Sequence, residues 1–460
     1  MTSNRLAQRI EFVASIYLRL QYIGLSLESM RRVCLVVIAA SLVPLRFVSA
    51  EETQLPFVVL GTLPGGTYSA ATDVSEDGAV VVGTCDQFGK ERAFLWTQSG
   101  GIQDLGLLPG MTYAQATGVS ADGAVVVGCS GTGSTCRAFR WTSESGMVDL
   151  GSLGGSGWAS ATAVNADGTV IVGQSRTSGV GIRPRAFRWR AGEGMQELGT
   201  LPVGVDPEQY GSIATGVDGS GQVVAVTCRG VDFSGFGISR SALWNIGAGL
   251  SLLPLCSGFT DSRTGRCAAD GSSILGHCFN GGPGGSSAGS VGVVYRGDGA
   301  AVRVNPLPNS SELYAYGIDA RGEKVLGRGV DVRRFEYTAI TWSPSSGTQV
   351  LMDEVCGAGV ALNGWELHEV QACTGNAKII VGQAEAGSAL HRQGFRLVRQ
   401  PALSCPGDAS GDGVVDGADV GLLLSRWNAA PVSDWVDLNC DGRVDGADLG
   451  ALIASWGPCQ

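Results

Sequence analysis

The chain has 460 residues, a formal charge of −10, 71 glycines and only 16% charged residues. That length leaves room for more than one domain, and the composition suits short strands and tight turns rather than helices. No basic cluster with interleaved aromatics occurs, so nucleic acid is not an expected partner.

Residues 1–50 read as an export signal. Arg31-Arg32 precede an apolar run at 33–43, and Val48-Ser49-Ala50 forms a small-residue cleavage site before Glu51. The run is too short to span a bilayer, so no integral membrane segment is expected after cleavage. Met30 offers an alternative start, which would make the first 29 residues an over-long N-terminus. The expected location is secreted or at the cell surface. Losing Cys34 with the signal leaves twelve cysteines in an oxidising setting. The expected disulfides are Cys129–Cys136 and Cys267–Cys278 within hairpins, and Cys405–Cys459 around the C-terminal region.

From residue 55 to 398 the sequence repeats itself. Gly61-Thr62-Leu63-Pro64-Gly65 recurs 45 residues on as Gly106-Leu107-Leu108-Pro109-Gly110, and again as Gly151-Ser152-Leu153-Gly154-Gly155. Each unit continues with an apolar strand ending in Gly (79–83, 124–128, 169–173) and a marker such as Ala93-Phe94-Leu95-Trp96. Counting diverged versions gives seven units. Each full unit holds four strand patterns, in the first at 71–75, 79–84, 92–97 and 101–105. Asp77-Gly78, Asp122-Gly123 and Asp167-Gly168 are hairpin-turn chemistry, not catalytic carboxylates.

Four strands per unit of roughly 45 to 55 residues are what a β-propeller blade needs. The seventh unit stops after its third strand, at Val398, while residues 57–61 align with the fourth strand of later units. The expected fold is therefore mainly β: a seven-bladed β-propeller of four-stranded blades closed by the N-terminal strand. A β-solenoid or a pair of β-sandwiches is the alternative, but neither explains the missing last strand. The motif set Asp-Leu-Gly-x-Leu-x-Gly-Gly, Asn/Asp-Gly-x-Val-Val-Gly and Ala-Phe-x-Trp resembles the extracellular HAF repeat family, which implies the repeat fold and secretion but no activity.

An aromatic recurs just before the first strand of most units: Tyr68, Tyr113, Trp158, Tyr210, Tyr314 and Trp365. In a propeller these rings fall near one mouth of the channel. There they serve either as stacking platforms for carbohydrate or peptide or as packing between blades. His277, His368 and His391 stand at no metal-ligand spacing, and neither a nucleophile elbow nor a Walker loop occurs. Glu366-Leu367-His368-Glu369 breaks the repeat pattern, and strand alternation would set Glu366 beside His368. A non-enzymatic role is expected. The rival is a glycan-active enzyme, which would need two of Asp206, Glu208, Glu312 and Glu366 facing each other, about 5 Å or 6.5–9.5 Å apart.

After a short linker at 399–404, residues 405–460 form a separate acidic region with nine Asp, no Glu and two Arg. Asp408 to Asp419 and Asp437 to Asp448 are copies 29 residues apart. Oxygen-bearing side chains stand at loop positions 1, 3, 5, 9 and 12, with Gly at 6. A hard cation such as calcium asks for this pattern, because the chain must turn sharply at position 6 to wrap its oxygens round one point. The side-chain ligands would be Asp408, Ser410, Asp412, Asp416 and Asp419 in one loop, and Asp437, Asn439, Asp441, Asp445 and Asp448 in the other. Val414 and Arg443 would give backbone carbonyls, and Val415 and Val444 at position 8 would pair the loops. An apolar helix pattern ending at Trp427 or Trp456 follows each.

This region resembles the type I dockerin, a duplicated calcium module that plugs secreted proteins into cohesin receptors. The resemblance implies a small α-helical domain with two Ca2+ ions and a cohesin-like or other surface protein as partner, in a setting of polysaccharide breakdown. Positions 10 and 11, often hydroxyl-bearing in dockerins, are Gly417-Ala418 and Gly446-Ala447 here. A structural envelope protein that uses calcium only for stability is a third reading.

Overall fold

A computed structural model describes residues 56–460 apart from 156, 178–182, 203–209, 281–288, 311, 333–335, 359, 361, 363, 387–391, 400–406, 410–413, 428–435, 439–443 and 460. Seven four-stranded antiparallel sheets follow one another along the chain. Blade 1 consists of Ser69–Val74, Val80–Gln87, Lys90–Thr97 and Gly101–Asp104. Blades 2 to 6 occupy residues 113–149, 159–199, 211–252, 261–304 and 313–350. Blade 7 takes three strands from its own unit, Trp365–Cys373, Ile379–Ala386 and Arg392–Val398. Its fourth is Phe57–Val59, which pairs Phe57 with Leu397 and Val59 with Phe395. The N-terminal strand thus closes the last blade, as the truncated seventh unit implied, and no blade is left with a bare edge there.

The first strand of each blade lines the centre. Hydrogen bonds from the Thr72, Thr117, Thr162 and Thr215 hydroxyls to Ala116 O (2.9 Å), Ala161 O (3.1 Å), Ala214 O (2.7 Å) and Gly265 O (2.8 Å) join these strands blade to blade. The turns after them form a second belt. Glu76 N–H donates to Ala121 O, Ala121 N–H to Ala166 O, Ala166 N–H to Gly219 O and Gly219 N–H to Ala269 O. The belt passes from blade 7 to blade 1 through the Glu76 carboxylate, which accepts from Gly375 N–H at 2.8 Å. Gly123, with φ +73°, shows why these turns carry glycine, since a Cβ there would lie 2.6 Å from Val80 of the preceding blade.

The apolar core is a ring of interfaces between blades. Ala71, Val81, Phe94 and Trp96 pack with Ile379, Val381 and Val398 where blade 1 meets blade 7. Val82, Ala93 and Leu95 pack with Ala114, Ala116 and Phe139 at the next interface. A helix that the repeat pattern did not announce, Leu351–Gly357, lies between blades 6 and 7 and buries Leu351, Met352 and Val355.

The expected Cys129–Cys136 disulfide is present, but Cys267–Cys278 is not. Cys278 bonds instead to Cys256, with the two Cα atoms 6.0 Å apart. Register explains the correction: Cys267 pairs with Ile274 and Ser262 with Cys278, so the proposed partners sit at opposite ends of one ladder. Cys267 closes its inner strand as Val74, Val119 and Val164 close theirs, serving as a small apolar side chain. Cys459 is half of a disulfide, while its expected partner Cys405 lies outside the described residues.

In the C-terminal region two short helices, Gly417–Ser425 and Gly446–Ala454, repeat the 29-residue spacing. Val415 and Val444 share a small core with Leu423, Val436 and Leu452. Val414–Val415 pairs with Gly457–Pro458.

Candidate functional site

First strands begin, and second-to-third-strand hairpins turn, at the same end of the propeller. The six expected aromatics all lie there, each half-buried. Strand register separates them into three slots. Tyr68, Tyr113 and Trp158 share one, Tyr210 and Trp365 stand one residue earlier, and Tyr314 stands two residues later. The slot held by aromatics in blades 1 to 3 is held by Asp261, Glu312 and Glu366 in blades 5 to 7. That shared slot is therefore aromatic in blades 1 to 3 and acidic in blades 5 to 7, while Tyr210, Tyr314 and Trp365 stand off it in blades 4, 6 and 7.

Blades 6 and 7 concentrate polar groups at this end. The Arg328 guanidinium stacks over Tyr337 at 4.3 Å and Tyr314 at 5.2 Å from the ring centroids. Its Nη1 also lies 3.3 Å from Glu369 Oε2. The Tyr337 hydroxyl donates to Glu312 Oε2 at 3.1 Å, and its ring centroid is 6.3 Å from that of His368. His368 is the extra residue of a β-bulge, because Leu367 pairs with Ala384 and Glu369 with the adjacent Gln383. Every first strand carries one bulge near its middle, but only blade 7 has this second one. A bulge re-aims a side chain. It breaks the alternation that would have set Glu366 beside His368, so Tyr337 is the ring His368 meets and Glu366 is exposed.

Two buried atoms in this cluster, Arg328 Nε and His368 Nδ1, have no hydrogen-bond partner among the described residues. Burial, with the nearby Arg392 charge adding to it, lowers the His368 pKa and favours the neutral ring. His277 is a tether between blades. Its Nε2 accepts from Ala315 N–H of the next blade at 2.6 Å, and burial pushes its pKa down to about 4. His391, Asp206 and Glu208 lie outside the described residues.

Deeper in, the centre is spanned by an ion pair. Arg266 of blade 5 donates to Asp73 Oδ1 (2.8 Å) and to Thr72 O (2.7 Å) of blade 1, and Val119 N–H donates to Asp73 Oδ2 (3.0 Å). Blades 1 and 5 are not neighbours, so this contact crosses the axis. Asp73 is 13% and Arg266 32% exposed at the side chain. Because Arg266 is a third exposed, only part of a buried pair's energy applies. Arg266→Ala is expected to cost about 2 kcal/mol in urea unfolding, and about half of that once Asp73→Asn has removed the charge left behind.

The Asp-Gly aspartates are turn residues, as expected. Asp77 and Asp122 accept from the Ser75 and Ser120 hydroxyls (2.6 Å each), and these bonds hold both carboxyls below their usual range. Cys85, Cys228, Cys267 and Cys373 carry free thiols. Burial pushes Cys267 and Cys373 up to about 12, so they stay protonated at neutral pH and are poor nucleophiles.

Of the expected calcium ligands, Asp408, Val414, Asp416, Asp419, Asp437, Asp445 and Asp448 are described. Ser410, Asp412, Asn439, Asp441 and Arg443 lie outside the described residues. Among the described residues no group of three or more His, Cys, Asp or Glu side chains is arranged to hold a metal. The two copies share one local geometry. Asp416 Oδ1 caps Ala418 N–H (2.7 Å) and Asp419 Oδ2 accepts from Asp416 N–H (2.7 Å). Asp445 and Asp448 repeat both bonds at 2.8 Å.

Sequence reasoning missed Arg328, Tyr337, Asp73 and Arg266. The signal for the first two was their departure from the repeat: Arg328 stands where blades 1 to 3 carry Thr84, Cys129 and Gln174, and Tyr337 where blades 1 and 2 carry Glu91 and Cys136.

Strand pairing defines the molecule as a seven-bladed β-propeller with four-stranded blades. No family model and no curated protein matches the sequence. Solved propellers do align with the fold. An oligogalacturonate lyase from Vibrio parahaemolyticus aligns over 75% of this chain and 94% of its own, at 12% identity and a TM-score of 0.48. The β-propeller domain of the Trilobed protease from Pyrococcus furiosus aligns over 72% of this chain and 95% of its own, at 11% identity and a TM-score of 0.47. TolB from Acinetobacter baumannii aligns over 62% of each chain, at 12% identity and a TM-score of 0.37, so this chain spans less than two thirds of it. Among the described residues no helix is long and apolar enough to cross a membrane.

Proposed function

We propose that the chain is an exported binding protein with two working parts. The dockerin-like tail takes up two calcium ions and docks to a cohesin-like or other surface receptor, while the propeller presents a ligand-binding face. The observation that carries this reading is the repeated geometry of the tail. Asp419 and Asp448, both at loop position 12, are wholly buried and carry the same capping bonds. Buried carboxylates in a segment this acidic need positive charge near them, and divalent cations would supply it along with the helix N-termini. Exposed Leu424 and Trp427 in one copy and Ile453 and Trp456 in the other offer apolar surface for a receptor.

Calorimetric titration of calcium into the chelator-stripped full-length protein is expected to show two sites. At a hundredfold excess over Kd, calcium would stabilise the tail by about 3 kcal/mol per site. Asp419→Asn with Asp448→Asn should abolish uptake without lowering the melting of the propeller. Absence of uptake by the unmutated protein would retire the docking role.

The glycan-active alternative keeps one favourable observation: Glu312 and Glu366 occupy the same slot in adjacent blades. Release of reducing ends from polysaccharide, lost in both Glu312→Gln and Glu366→Gln, would establish it.

A further inference from the structure

We infer that the mouth of the propeller at blades 6 and 7 is a binding site for a neutral oligosaccharide, built around Tyr337, Arg328 and His368. The inference rests on the propeller being the ligand-carrying part and names where and what it binds.

Geometry sets this corner apart from the other blades. The additional bulge at His368 disrupts a ladder that the other six first strands keep intact at that point. Such a departure carries a packing cost that repetition elsewhere avoids. Its result is a histidine turned toward Tyr337 with Nδ1 unpartnered, beside an arginine whose Nε is also unpartnered. Buried polar atoms are seldom left unsatisfied. The hydroxyl groups of a sugar, each both donor and acceptor, suit a neutral imidazole and a guanidinium N–H alike.

Tyr337 is 41% exposed, with its ring held in place by Arg328 and its hydroxyl by Glu312. A fixed, open aromatic face beside polar groups suits the apolar face of a pyranose. Charge selects among saccharides. Arg328 is paired with Glu369 and Arg392 with Glu385 (3.0 Å), which leaves Glu312 and Glu366 as carboxylates without a cationic partner among these groups. A uronate or sulfated chain would be repelled.

The test uses the full-length protein on an array of immobilised neutral, uronic-acid and sulfated oligosaccharides, followed by titration with the best-bound neutral hexasaccharide. Neutral glycans should be retained in preference to the acidic ones. Tyr337→Ala and His368→Gln should each weaken the titrated affinity tenfold or more, whereas Tyr337→Phe should cost less than threefold. Phe233→Ala, at a 93% exposed hairpin tip of blade 4, controls for aromatic stickiness and should change nothing. Should Tyr337→Ala fail to fold, His368→Gln, which keeps the side chain's volume, carries the test. Neutral binding unaltered in His368→Gln and Tyr337→Ala would overturn this site while leaving the propeller as the ligand carrier. Retention of acidic glycans alone, or of none, would overturn the ligand class. Calcium uptake by the tail is read separately and is untouched by any of these results.

Discussion

Replacing Gly128 by alanine is expected to destabilise the propeller by about 3 kcal/mol or more, read as a fall in the urea midpoint at unchanged slope. A Cβ at Gly128 would fall on the carbonyl oxygen of Gln115 and lie 2.9 Å from the Phe139 ring. One obstacle is backbone and the other a fully buried ring, so neither can move aside cheaply. Gly83 faces Ala70 O and Phe94 in blade 1, and Gly173 faces Ser160 O and Phe187 in blade 3. The glycine of the Val-Val-Gly motif and the phenylalanine of Ala-Phe-x-Trp are thus one contact seen twice. Phe139→Leu should relieve only part of the penalty, since the carbonyl clash remains. Gly133→Ala, in a hairpin with φ +57° and open space around the Cβ, should cost only about 1 kcal/mol.

That contact shows why the architecture could be read from the sequence. The blade repeats, so each local rule is written several times, and a departure in one copy is outvoted by the others. Turn aspartates with the following Gly, the alternating strands and the unit missing its fourth strand were all local or counted features. What could not be read depends on partners distant in sequence. Arg266 meets Asp73 only because the ring brings blades 5 and 1 across an axis. Cys256 lies in a loop whose path over blade 5 no spacing rule fixes. The His368 bulge is a one-residue register event, invisible to a period-two pattern. The slots of the aromatics were hidden for the same reason: a one-residue shift turns a ring to the other face, and a two-residue shift keeps the face but moves the ring along the strand. In the tail, the reciprocal caps at Asp416 and Asp445 were hidden within the metal-loop pattern, since both roles ask for Asp at positions 9 and 12.

The largest single effect should come from removing the closing strand. A chain beginning at Gly61 would lose the ladder from Phe57–Val59 to Arg392–Val398, the Phe57–Phe395 ring contact (centroids 6.0 Å apart) and the burial of Leu60. Leu60 is 4% exposed and sits in the core between blades 1 and 7, where Val398 and Val381 pack. Losing one such leucine costs about 2–5 kcal/mol, and the ring contact and ladder bonds add to it. Compared with a chain beginning at Glu51, the shortened protein should lose about 5 kcal/mol of stability. It should also expose Phe395 and Leu397, now fully buried, along a bare strand edge. Association through that edge should follow, seen as dimers or larger species in sizing chromatography coupled to light scattering. A synthetic peptide of residues 54–63 supplied in trans should bind the open edge, restore the melting temperature and return the protein to monomer. A Pro in place of Val58 in that peptide should prevent rescue, because Val58 stands opposite Arg396 in the ladder. Rescue by the Pro peptide would mean that apolar burial alone closes the ring. Stability unchanged by the truncation would mean that the Glu76–Gly375 link and the blade 7–blade 1 core suffice without the strand.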